Sequence, residues 1–393
     1  MRLENFKIMD NHQWQLLSKL PNVGNSIFAV MTQLANENNA INLSQGFPDF
    51  PISEKLISLV NKYMNMGYNQ YSPMPGVLKL REVISEIVNK TYSAHYDPVT
   101  EITITAGATQ AIYTIISAIV RADDEVIIFE PAYDSYAPAV KVNGGLVKYA
   151  TLKQPDFNID WEKFPALISS RTRMIIINSP HNPSGTVLSH NDINQLIRIT
   201  RNRDILILSD EVYEHLIFDG LKHESLCRYP ELASKSFVVG SFGKTFHATG
   251  WKTGFVLAPA NLTAELRKIH QFLVFSANTP IQYAFAEFLE DEANYIHLPE
   301  FYQKKRDALL KLIRTSRFKP LKCNGTYFLT LDYSDISDEN EMDFAVRLTR
   351  EHKIASIPFS AFYNKNNNNN LLRFCFAKTD ETLEKAAKIL CKI

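Results

Sequence analysis

Ser236-Phe-Val-Val-Gly-Ser-Phe-Gly-Lys-Thr-Phe-His-Ala-Thr-Gly-Trp-Lys-Thr-Gly254 starts as an apolar run and ends in a cluster of hydroxyls, glycines and two lysines. Ser236 to Gly240 has no polar face, which suits a strand buried on both sides. Four runs of the same kind precede it: Glu101-Ile-Thr-Ile-Thr105, Glu125-Val-Ile-Ile-Phe-Glu130, Arg173-Met-Ile-Ile-Ile-Asn178 and Asp204-Ile-Leu-Ile-Leu-Ser209. Helical stretches lie between them, among them Gln110 to Val120 and Asn191 to Arg201. Apolar strands alternating with amphipathic helices predict an α/β fold with a mainly parallel sheet covered on both faces. Ligands of such sheets bind beyond the carboxyl ends of the strands, and the polar clusters of this sequence fall there.

After Pro280 the pattern changes to long charged helices from Ile281 to Arg314. Tyr327-Phe-Leu-Thr-Leu331, a helix near Glu341 to Glu351 and a last strand Leu371-Leu-Arg-Phe-Cys-Phe376 follow. This predicts a second, smaller α+β domain. Residues 1–50 are expected to form an N-terminal arm and part of that small domain, 51–285 the large domain and 286–393 the small C-terminal domain. The run Asn364 to Asn370 is read as a solvated loop, since poly-Asn carries nothing to bury.

A chain of 393 residues with 45% hydrophobic content can bury a core of this size, and it is long enough for two domains. Its formal charge of +0 offers no field to recruit nucleic acid or an anionic membrane. The start, Met1 to Asp10, puts charges among its apolar residues, so export is not expected and a cytoplasmic location is. Apolar runs such as Val126 to Phe129 are too short to span a bilayer. Cys227, Cys323, Cys375 and Cys391 form no C-x-x-C pair, which fits reduced thiols better than disulfides or a metal site. A dinucleotide enzyme would want G-x-G-x-x-G after its first strand, and that fingerprint is absent.

Each polar cluster has a bland reading beside the chemical one. Lys244 follows a buried strand, and a lysine whose pKa is lowered there attacks an aldehyde to form a Schiff base; it could equally be a surface loop lysine. Asp210, in Ser209-Asp-Glu-Val-Tyr-Glu214, could hold a pyridine nitrogen protonated or cap the next helix. Asn182, in Asn178-Ser-Pro-His-Asn-Pro-Ser-Gly185, could donate to a ring oxygen or a substrate carboxylate, or sit in an ordinary proline turn. His181 in that loop and His247 near the lysine are weaker catalytic candidates. Thr105-Ala-Gly-Ala-Thr-Gln110 could cradle a phosphate at a helix start or simply connect strand to helix.

Together these segments resemble the fold-type I pyridoxal-phosphate aminotransferases over nearly the whole chain, most specifically the branch holding kynurenine and bacterial methionine aminotransferases. The marks are Ile41-Asn-Leu-Ser-Gln-Gly-Phe-Pro-Asp-Phe50, Asn69-Gln-Tyr-Ser-Pro-Met-Pro-Gly76, Glu130-Pro-Ala-Tyr133, the Asn182 loop, Asp210-Glu-Val-Tyr213, the Lys244 segment and Leu372-Arg-Phe-Cys-Phe-Ala-Lys378. The resemblance implies a seven-stranded sheet, and Lys244 as both cofactor anchor and general acid/base. It implies that Asp210 pairs with the pyridine N–H, that Tyr213 and Asn182 bond the ring oxygen, and that Tyr133 stacks on the ring. The backbone of Ala108 and Thr109, Ser241 and Lys252 would hold the phosphate, joined by Tyr71 from a neighbouring subunit of a homodimer. Arg373, with Asn182 and the backbone at Gly46, would anchor the substrate α-carboxylate, and Phe28, Tyr71 and Phe275 would line its side chain.

Two departures argue against an aspartate-specific enzyme: lysine rather than arginine at 252, and Ala108 and Thr109 in place of cradle glycines. The implied donors are methionine first, then phenylalanine, tyrosine or kynurenine, with a 2-oxo acid as acceptor. An aromatic aminotransferase or a cysteine-S-conjugate β-lyase is the rival within enzymes. A pyridoxal-phosphate-binding regulator is the more distant one, and the motifs begin near Ile41, which leaves no room for a helix-turn-helix before them. The Glu130–Pro131 and Asn182–Pro183 bonds are expected to be cis, as in related enzymes.

Overall fold

A computed structural model describes residues 17–365 and 367–393. The reading of Met1 to Asp10 therefore lies outside the described residues, as does Asn366 in the poly-Asn run. Seven strands form the main sheet: β1 (Ile102–Thr105), β2 (Glu125–Glu130), β3 (Leu146–Thr151), β4 (Thr172–Asn178), β5 (Leu206–Asp210), β6 (Ser236–Ser241) and β7 (Gly254–Leu257). Their spatial order is β1-β7-β6-β5-β4-β2-β3. Only β7 runs against its neighbours; the pairs β6–β5, β5–β4, β4–β2 and β2–β3 are parallel.

Side-chain alternation explains why the runs are apolar throughout. Along β4, Ile175 and Ile177 enter one core while Met174 and Ile176 enter the other. Helices cover both sides, so no face of the strand is left for polar residues. Register brings the functional ends level: Asn178 pairs with Asp210, and Gly254 pairs with both Ser241 and Thr105.

A second, antiparallel sheet of four strands has the order Ile357–Pro358, Leu371–Cys375, Phe328–Asp332, Lys319–Pro320. Arg373 sits in its middle, opposite Thr330 on one side and Ile357 on the other. Ile41–Asn42 pairs in parallel with Ile354–Ala355, so the segment after the first helix, Ile27–Glu37, joins the C-terminal part of the chain. A third core runs from Met31 and Leu43 through Tyr213 and Leu216 to Phe374 and Leu390. It binds the tip of the main sheet to the smaller one.

Glu130–Pro131 and Asn182–Pro183 are cis, as are Gln154–Pro155 and Ser179–Pro180. The helices expected from Ile281 to Arg314 are Thr279–Leu289 and Leu298–Leu312, and Asp291 caps a short turn between them. No helix among the described residues is long and apolar enough to cross a membrane.

Candidate active site

A cavity of about 340 Å³ opens at the carboxyl ends of the strands, in the size range of small-molecule sites. Lys244, Asp210, Tyr213, Asn182 and Arg373 line it, together with Phe28, Gly46, Ala108, Thr109 and Tyr133. Ten of the residues singled out from sequence thus converge from eight regions of the chain.

Lys244 lies in the short helix Phe242–Thr245 that β6 runs into, where Ser241 caps the helix by accepting from the Lys244 N–H at 3.3 Å. Its Nζ donates to the Gly46 carbonyl at 3.4 Å. Burial pushes the amine down to about 8, and the Arg373 and Lys252 charges push the same way. A lysine near 8 is a usable nucleophile and base at neutral pH.

Asp210 ends β5 and is buried. Its Oδ2 accepts from the Tyr136 hydroxyl and its Oδ1 from the Val212 N–H at 3.3 Å. Burial raises its carboxyl to about 6 against the opposing pull of the Tyr136 bond. Asn178 bridges to the next loop: its side chain donates to the Asp210 carbonyl at 2.8 Å and accepts from the Asn182 N–H at 2.8 Å.

Arg373 is fully buried. It donates to Asn182 Oδ1 at 2.7 Å and to the Ser44 carbonyl at 2.8 Å, while its Nε has no partner. Its guanidinium carbon stands 3.7 Å from the centre of the Phe328 ring, with Phe28 and Phe362 at 5.2 and 5.1 Å. Among the described residues no carboxylate pairs with it. A buried guanidinium with a free donor and no counter-ion has the chemistry to bind a carboxylate.

Opposite, the helix Ala108–Ile119 begins after Gly107, whose φ of 82° takes the left-handed region glycine favours. The first-turn N–H groups have no partner within the helix and favour an anion there. Lys252 folds against this start: its Cε would lie 3.5 Å from a Cβ on Gly107. Gly254 is required beside it, because a Cβ there would stand 2.7 Å from the Gly240 carbonyl and 3.1 Å from the Ala108 nitrogen.

Tyr71 and Phe275 do not reach the cavity of their own chain. They pack edge-on at 5.1 Å on the outside, 81% and 50% exposed. Neither histidine candidate lines the cavity. His181 bonds Ser184 at 2.7 Å, His247 packs against Phe50, and burial pushes both down to about 4. Gln45, Phe47, Asn178, Thr249 and Gly250 also line the cavity; they lie inside the motifs quoted from sequence without a role assigned to them. Tyr136 lines it too and lies outside those motifs, its one local signal being its place three residues after Tyr133.

Known proteins resemble this chain over nearly its whole length. The family model for aminotransferase class I and II matches residues 38–390. Methionine aminotransferase of Escherichia coli (strain K12) is 47% identical over 374 residues, covering 95% of this chain and 97% of that protein. A solved Escherichia coli structure, reported with a methionine aminotransferase function, superposes with a TM-score of 0.94 at 47% identity, covering 96% of this chain and 99% of the other. Kynurenine–oxoglutarate transaminase of Dictyostelium discoideum is 32% identical, with 94% of each chain covered. With the family model spanning both sheets and the cavity between them, the chain belongs to the class I and II aminotransferases.

Proposed function

We propose that the chain is a pyridoxal-phosphate enzyme that moves the amino group of methionine, and of other apolar or aromatic amino acids, to a 2-oxo acid, as a cytoplasmic homodimer. The observation that carries this reading is a half-buried lysine of lowered pKa sharing one cavity with a buried aspartate and a buried arginine that lacks a counter-ion. The donor set fits the cofactor. Ala108 and Thr109 N–H groups, the Ser241 hydroxyl and the Lys252 ammonium would hold its phosphate; Asp210 would pair with the ring N–H; Tyr213 and Asn182 would bond the ring oxygen; Tyr133 would stack on the ring.

When bound, the cofactor supplies an aldehyde for Lys244 and an electron-withdrawing ring that makes the substrate Cα–H acidic. Arg373 would fix the α-carboxylate through parallel hydrogen bonds, with Asn182 and Gly46 beside it, and so orient the Cα–H. Lys244 would then take up and return that proton. Tyr71 of the partner subunit would complete the phosphate site. The division into residues 1–50, 51–285 and 286–393 is part of the same proposal, supported by the pairing of Ile41–Asn42 with Ile354–Ala355.

Methionine as first donor rests on the 47% identity to a methionine aminotransferase and on an apolar lining that includes Phe28 and Phe47. Desolvating an unpaired side-chain carboxylate costs several kcal/mol, whereas a methylene changes selectivity by about 1–3 kcal/mol. Dicarboxylic donors should fare poorly, and apolar ones should differ modestly. The test is a set of kcat/KM values for methionine, phenylalanine, kynurenine, alanine, aspartate and glutamate with one fixed 2-oxo acid. A clear preference for aspartate would sink the reading; kynurenine above methionine would favour the aromatic alternative, which the kynurenine transaminase relative supports. Pyruvate and ammonia formed from a cysteine S-conjugate would mark β-lyase activity.

A further inference from the structure

Three distant parts of the chain meet beside the Lys244 amine. Tyr327 is fully buried immediately before the strand Phe328–Asp332, and its hydroxyl donates to the Gly46 carbonyl at 2.8 Å. The same oxygen accepts from Lys244 Nζ at 3.4 Å, the one hydrogen bond the amine makes among the described residues. The amine is otherwise bounded by two rings: its nitrogen stands 5.7 Å from the centres of Tyr213 and Tyr327, whose planes meet at 83°. Gly46 comes this close because it has no side chain. A Cβ there would lie 2.5 Å from Phe328 Cζ and 3.3 Å from the Tyr327 ring.

An amine nitrogen is tetrahedral, so committing one N–H to a fixed acceptor restricts where its lone pair points. The Gly46 oxygen is fixed only if something holds it, and the Tyr327 hydroxyl is the stronger of its two donors by distance. We propose that Tyr327 is a positioning residue for Lys244: its hydroxyl pins the Gly46 carbonyl, and the pinned carbonyl takes one N–H of the amine and directs the nitrogen lone pair into the cavity. This rests on the reading of Lys244 as the reactive amine of a pyridoxal-phosphate enzyme. Tyr327 touches neither cofactor nor substrate in this role; it acts through Gly46.

Tyr327→Phe removes one oxygen and keeps the ring. Cofactor-free wild type and variant are mixed with pyridoxal phosphate, and covalent capture by Lys244 is followed by the visible band and confirmed by borohydride reduction and peptide mapping. Capture by the variant should slow by about tenfold or more, as misaligned reacting groups do. In a Lys244→Ala background the noncovalent affinity for pyridoxal phosphate should be the same with and without Tyr327→Phe. With methionine, kcat should fall by a similar factor while KM changes little. An unchanged capture rate would overturn the proposal. So would a noncovalent affinity that weakens as much as capture slows, since Tyr327 would then merely pack the site. If the wild type neither captures the cofactor nor transaminates any donor, the functional reading falls and takes this inference with it. That result is distinct from an active wild type beside an indifferent variant.

Discussion

Burial and the Arg373 guanidinium together hold the Lys244 amine at about 8, below the ordinary lysine value of 10.5. The sign is that of a lowered base: the neutral, reactive form dominates above pH 8 and is lost as pH falls through it. Acetic anhydride labelling of Lys244 in the cofactor-free protein should therefore be half-maximal near pH 8, while exposed lysines of the same sample titrate higher. A midpoint above 10 would remove the electrostatic basis for its chemistry. Arg373 gives a complementary prediction. Hydrogen bonds to charged groups contribute about 1.5–3 kcal/mol each, so Arg373→Gln should raise KM for methionine by about ten- to a hundredfold, with the smaller effect on kcat. Equal loss in both would point to a misfolded site instead. Much of this site was legible in the sequence because its residues stand where buried strands end, as Asp210 and Ser241 do. Tyr327 was not, for the opposite reason: it meets Gly46 from 281 positions away, and no local pattern reports such a contact.

The strands β2, β4, β5 and β6 could be read from apolar runs because both of their faces are buried. Two others escaped that reading. β3 is an edge strand, Leu146-Val-Lys-Tyr-Ala-Thr151, in which only Ala150 is buried, and β7 is four residues long and opens with a glycine. The seven-strand count came from the family resemblance rather than from periodicity. One strand glycine is itself informative. Gly240 lies inside β6, where a Cβ would stand 2.2 Å from the Phe255 ring on β7. Overpacking of this kind costs about 1–3 kcal/mol, so Gly240→Ala should lower the unfolding free energy by about that amount in urea. Because β6 leads directly into the Lys244 helix, covalent capture of pyridoxal phosphate should weaken as well. An alanine variant as stable as the wild type would show that Phe255 turns aside, and the strand would not be held by this contact.

The described chain leaves Tyr71, Phe272, Leu273 and Phe275 between 45% and 87% exposed. An exposed aromatic and aliphatic cluster of that kind is unusual on a lone soluble protein and suits a protein interface. Four expected site residues do not line the cavity of their own chain; Ser241 and Lys252 sit beside it, next to Lys244 and Gly107, whereas Tyr71 and Phe275 lie on the outside. A two-fold dimer would resolve both facts at once, since a symmetric interface can carry these rings into the neighbouring site. The prediction follows from counting sites. Lys244→Ala disables the site that holds the altered lysine, whereas Tyr71→Ala would disable the site across the interface. In a mixed dimer both defects then fall in one site and the other is intact. Random subunit exchange makes half of the dimers mixed, so an equimolar mixture of the two inactive variants should recover about a quarter of wild-type transamination. Mass measurement of the mixed dimer establishes that exchange has occurred. If activity then stays at the level of the separate variants, Tyr71 serves its own chain and the shared-site arrangement is wrong.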